Sequence, residues 1–226
     1  MAAVANLRDN NTTIEISATL FLYGSEAATE IGELIIKEIN QMYNEPRAKV
    51  HRMGMSLEVR FNIRYAIIST EEAFTLASSN RDHSSNFIRI ENENTITRSF
   101  MGFGLGDNAG HWLTSDQLGV STTAAHEFGH CLGLDHPANP DFRGTYTPPP
   151  IMAARGSLVD PEYQWNPLAK AGEYGGTMKP VYRKVREEEV REILAGIDPF
   201  SPETQLIGYL SNNIFDRTGK PYPSLS

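Results

Sequence analysis

The sequence predicts an α/β (α+β) fold, with helices packed on a twisted mixed sheet. Two stretches carry that expectation. Leu57, Val59, Phe61, Ile63, Tyr65 and Ile67 alternate with Glu58, Arg60, Asn62 and Arg64, the period of a half-buried strand over 57–68. Ala27, Ile31, Leu34, Ile35, Ile39 and Met42 recur at helical spacing, giving one apolar face with Ser25 as the cap. The order of elements around these two completes the prediction.

Residues 14–23, IEISATLFLY, alternate as a first strand. A short helix is expected over 71–78, then short strands near 86–90 and 96–103, after which Gly102, Gly104, Gly106 and Gly110 loosen the chain. Residues 137–181 are rich in proline and glycine and show no period, as befits a long functional loop. YRKVREEEVREILAG is a C-terminal helix, and its charged run from Arg183 to Glu192 reads as a solvated face. SPETQLIGYLSNNIF is expected to form a last helix. Ser201 would cap it, Pro202 sits in its first turn, and Leu206, Ile207, Leu210 and Ile214 make an apolar stripe. The final TGKPYPSLS reads as a loose terminus.

With 226 residues, 40% of them hydrophobic and 21% charged, the chain can bury a sizeable core. Its 20 basic against 28 acidic side chains, a net charge of -8, argue against nucleic acid or an anionic membrane as partner. No apolar stretch approaches the roughly 20 residues of a membrane helix. A lone cysteine, Cys131, excludes an intramolecular disulfide. The start shows no signal-peptide pattern, yet action outside the producing cell is expected, as a monomer.

Three of the six histidines lie in AAHEFGHCLGLDHP, residues 124–137. His126 and His130, four apart on a helix, project from one face and can reach a single metal ion. The preceding VSTTAA offers hydroxyl caps for that helix. Glu127 stands beside the metal without ligating it, placed to handle a water. Gly133 can end the helix in a left-handed turn, bringing His136 round as a third ligand, and Pro137 prevents any return to helix. Three nitrogens leave one position open, the pattern of a catalytic zinc site and not of a structural one. Cys131 points away and serves as a small buried hydrophobe.

His126, Glu127, His130, Gly133 and His136 match HExxHxxGxxH, and the segment resembles the zinc motif of the metzincin metalloproteases, closest to the matrixin and serralysin branches. The resemblance covers about residues 12–197 by order of elements. It implies a metzincin-like catalytic domain over 1–200, followed by a helical tail at 201–226 that packs on it. It implies one catalytic Zn2+, a polypeptide substrate, and zinc-dependent endopeptidase activity with Glu127 as general base. It implies a methionine turn beneath the metal, for which PPPIMAARG supplies Met152. It also implies a substrate-pairing rim near Gly104 to His111, and a specificity pocket in 137–181, for which Tyr146, Tyr163 and Trp165 are either lining residues or apolar anchors of the loop.

The sequence departs from the family at several points. Ala154 stands where serralysins and astacins carry a tyrosine, leaving Tyr146 or Tyr163 to stabilise an oxyanion. His83 and His111 do not reproduce the matrixins' second zinc, calcium is possible but not indicated, and no cysteine-switch segment is present. Two other readings follow from the same residues. One is the single-target protease end of a larger bacterial toxin, which IMAARGSLVDPEYQWNP resembles. The other is a catalytically silent zinc-binding interaction module.

Overall fold

A computed structural model describes residues 2–9, 11–170 and 172–222. Eight strands form one sheet: β1 (Ala3–Arg8), β2 (Thr13–Tyr23), β3 (Lys49–Arg52), β4 (Met55–Ile67), β5 (Ser85–Glu91), β6 (Phe100–Met101), β7 (Ala109–Leu113) and β8 (Gln205–Ile207). Four α-helices accompany them among the described residues: α1 (Thr29–Asn44), α2 (Thr70–Ser78), α3 (Thr123–Cys131) and α4 (Glu187–Ile193). The main path through the sheet is β3-β4-β2-β5-β7-β6, with β1 beside β2 and β8 beside β1. Pairing is parallel for β2 with β4 and β5, and for β5 with β7; it is antiparallel elsewhere. The mixed α+β expectation holds.

The long periodic segments form as their patterns require. Leu57, Val59, Phe61 and Ile63 of β4 are buried, while Ile67 at its end is exposed. Helix α1 lies between this strand and α3, burying Ile35, Ile39, Met42 and Tyr43. The Tyr43 ring lies 4.9 Å from Phe61 and 5.7 Å, edge-on, from Phe128 of α3. Leu34, expected on that apolar face, is exposed instead. Ser25 does not cap α1. The helix starts after Ala28, and the Ser25 hydroxyl donates to Glu91. Helix α2 carries a capping box between Ser69 and Glu72.

The strand expected over 96–103 shrinks to Phe100–Met101. Asn94 explains the loss: its side-chain oxygen accepts from the backbone N–H of Ile96 and Arg98, and its amide donates to the Arg98 carbonyl. That local turn takes the backbone away from the ladder, and Thr97 adopts φ 56° within it. The helix expected over 182–196 begins only at Glu187.

The expected tail helix is absent among the described residues. Gln205–Ile207 is a strand that pairs with β1, and Gly208 follows at φ 79°. Long-range pairing with Ala3–Ala5 satisfies backbone groups that a helix centred on a glycine would hold poorly. The tail then returns over the sheet. Phe215 packs edge-on against Phe100 at 4.9 Å and stacks on Phe103 at 5.2 Å. Its N–H and carbonyl both bond to the Tyr23 hydroxyl. Of the expected loose terminus, Thr218 to Tyr222 are tied down by backbone bonds to Thr95 and Ile214; residues 223–226 lie outside the described residues.

Candidate metal centre

Helix α3 carries the histidine pair, and a distant carboxylate holds its N-terminus. Thr122, at φ 65°, offers no side-chain cap. The hydroxyls of Ser121 and Thr123 donate to the Asp116 carbonyl and that of Thr122 to the Pro180 carbonyl, and of the expected hydroxyl caps Ser121 alone accepts a helix N–H, that of Thr123 at 3.4 Å. Buried Glu38 of α1 accepts instead from the N–H groups of Thr122 and Ala125, each at 3.0 Å. Burial raises the Glu38 carboxyl above the usual range, and these N–H groups pull it back. Glu38→Ala strands two buried donors, so chemical unfolding should show a loss of about 2–4 kcal/mol. A variant as stable as the parent would remove Glu38 from this role.

The other end of α3 closes as the sequence requires. Gly133, at φ 96°, donates to the His130 carbonyl, and Leu134 donates to that of Gly129, the paired bonds of a Schellman turn. The same turn presents the Leu134 carbonyl to His130 Nδ1 at 2.9 Å. His136, exposed, follows on the returning chain.

A second turn, Pro150 to Ala153, passes beneath the helix. Its Ile151 carbonyl lies 2.7 Å from His126 Nδ1. Buried Met152 abuts Gly129, where any side chain would collide with the Met152 sulfur. Glu189 of α4 clamps this turn, accepting from the N–H groups of Met152 (3.1 Å), Ile151 (3.4 Å) and Arg186 (2.8 Å). The charged run 183–192 is therefore not simply a solvated face, because Arg183 and Glu189 are both buried.

A carbonyl can only accept, so His126 and His130 each carry their proton on Nδ1 and turn a bare Nε2 inward. The His136 Nε2 lies 3.1 Å from the Nε2 of each of the other two. Imidazole nitrogens that close share either a proton or a cation. Two nitrogens about 2.0–2.1 Å from one ion at near-tetrahedral angles stand about 3.3 Å apart, close to that spacing. Burial holds all three imidazoles below the ordinary histidine range, helped at His126 by the Arg183 charge. They are neutral near pH 7, the form that ligates. The three residues can hold one metal ion.

The cluster opens into a cavity of about 400 Å3. Glu127 lines it beside the histidines, largely buried and without a hydrogen-bond partner for its carboxylate among the described residues. Burial pushes that carboxyl up to about 7, against the pull of the Arg183 guanidinium. The edge strand β6 with Arg98, Ser99, Gly102, Gly104 and Leu105 forms one wall. The expected rim at Gly104 to His111 is thus shifted, since β7 is paired on both sides and His111 is fully buried. Among the described residues of the segment 137–181, only Ala154 and Arg155 reach the cavity. Tyr146 is exposed, Tyr163 packs on Tyr182 in a small satellite core, and Trp165 borders a separate hollow. None of the three lines the cavity.

Sequence reasoning missed Glu38, Arg98, Asp116, Arg155, Arg183 and Glu189. Glu38, Asp116, Arg155 and Glu189 act through non-local contacts, Arg98 and Arg183 line a cavity assembled from distant segments, and no local period marks any of them. The one usable signal was the acidic residue inside an apolar stripe, Glu38 between Ile35 and Ile39. No protein-family model matches the chain, and no curated protein matches it significantly.

Proposed function

We propose that this protein is a zinc-dependent endopeptidase of the metzincin kind. The observation that carries the proposal is the convergence of three histidine Nε2 atoms, with Glu127 beside them at the wall of an open cleft. All-nitrogen donors with an open side suit zinc. A bound zinc ion supplies Lewis acidity at the scissile carbonyl and makes water a nucleophile near neutral pH.

The protein's own groups do the rest. The Ile151 and Leu134 carbonyls fix the tautomers of His126 and His130 and aim the rings. Glu127 takes one proton from the attacking water as its oxygen bonds to the carbonyl carbon. As the C–N bond breaks, the same carboxyl passes that proton to the leaving amine. The free edge of β6 beside the cavity suits an extended peptide, held by backbone pairing with modest sequence preference.

Cleavage mapped by mass spectrometry in a proteome-derived peptide library tests the proposal. Zinc-loaded protein should yield many cuts, and chelated protein none. An absence of cuts by protein holding one zinc per chain would overturn general endopeptidase activity, in favour of a single protein target or a silent binding module.

A further inference from the structure

Two arginines are buried among the described residues, and they differ in one respect. Arg89 is paired: its Nε donates to Glu91 at 2.7 Å and its guanidinium reaches the Phe215 carbonyl. Arg183 is only 2% exposed, its Nε has no hydrogen-bond partner, and no described carboxylate forms an ion pair with it. It nevertheless lines the cavity that holds the histidines. Burying a guanidinium with neither a hydrogen bond nor an ion pair is costly, an arrangement that makes sense when a ligand completes it.

The carboxylates around Arg183 are engaged elsewhere. Glu38 accepts from Thr122 and Ala125. Asp116 accepts from the Ser99 N–H and hydroxyl and pairs with Arg155 at 2.6 Å. Asp135 accepts from the His136 N–H at the exposed rim, and Glu127 is reserved for proton transfer. Burial pulls Arg183 down to about 10, so it remains a cation near pH 7. Arg98 and Arg155 line the same cavity, alongside the carboxylates of Asp116, Glu127 and Asp135. Ala154, small, leaves open space on this wall.

We propose that the inner end of the cleft is a carboxylate-binding subsite with Arg183 at its base. The inference rests on the peptidase reading and specifies its substrate: a peptide bearing a carboxylate next to the scissile bond. A planar carboxylate can take two parallel N–H bonds from the guanidinium fork, which an amide of equal size cannot do. The carboxylate comes either from an Asp or Glu side chain or from the end of a peptide chain.

Matched peptides with Glu, Asp, Gln, Asn or Leu after the cut, each with a free or amidated end, distinguish these sources. Acidic side chains should be preferred over their amides by at least about tenfold in kcat/KM, carried mainly in KM. A preference that follows the free end instead assigns the subsite to chain termini. Arg183→Met should erase the preference, and Arg183→Lys should restore part of it. Equal cleavage of Glu, Gln and Leu peptides with either end by the parent protein overturns the proposal without any variant.

Should no peptide be cut, the subsite is read separately. N-acetylglutamate α-amide and N-acetylalanine, each beside its neutral amide, are titrated onto the zinc-loaded Glu127→Gln protein while the Arg183 Nε–H resonance is followed. A shift specific to a carboxylate keeps the subsite while the peptidase reading falls. No shift with either acid overturns the subsite as well.

Discussion

Glu127→Ala is expected to retain one zinc per chain and to lose peptide cleavage by about 100- to 10,000-fold, the range that general acid–base groups contribute. Metal retention follows from the geometry, since the three converging nitrogens belong to His126, His130 and His136. The fold should also survive. The Glu127 carboxylate accepts no hydrogen bond among the described residues, so its removal strands no buried donor. Truncation even relieves a desolvated carboxyl. The measurement pairs zinc content with single-peptide kinetics on one preparation. Turnover within tenfold of the parent, at equal zinc content, would remove Glu127 from the role of base.

His136→Ala should have the opposite signature, losing the metal first and the activity with it. His136 is exposed on the returning chain, and among the described residues its ring nitrogens meet only the other two histidines. Its loss therefore leaves α3, the Schellman turn and the 150–153 turn untouched. Outer-sphere changes alone weaken metal sites by about 10–100-fold, so deletion of a direct ligand should cost at least about 100-fold in zinc affinity. Competition with a chromophoric chelator measures the affinity. Melting of the chelated proteins should coincide for parent and variant. Parental zinc affinity in the variant would show that the three nitrogens do not share an ion.

The sequence made legible what depends on neighbours in the chain. β2, α1 and β4 follow from periodicity, because one side of each faces a common core and the alternation records that side. The three histidines, Glu127 and Gly133 follow from spacing along a single helix and its stop. What stayed hidden depends on distant partners. β1, β3, β7 and β8 are short and owe their existence to the strands beside them; Leu206, Ile207 and Leu210 mimic a helical stripe until pairing with β1 decides otherwise. Arg183 and Glu189 looked solvated because a run of charges contains no mark of the residue that turns inward. The cavity wall was placed only in part, since Gly104 and Leu105 line it but the Asn94 turn, which fixes where β6 begins, depends on one side chain.

The two clamps on the histidines carry a consequence for anyone wishing to move the site into another protein. Glu38 reaches α3 across 84 residues, and Glu189 reaches the 150–153 turn across 37. A transplanted AAHEFGHCLGLDHP would carry the ligands but neither the anchor at the head of the helix nor the carbonyl that sets the His126 tautomer. A graft that also reproduces Glu38, the Ile151 carbonyl and Glu189 on a host backbone of matching shape brings the supports along with the ligands. The smallest portable unit of this centre is thus a three-dimensional scaffold drawn from four separated pieces of chain.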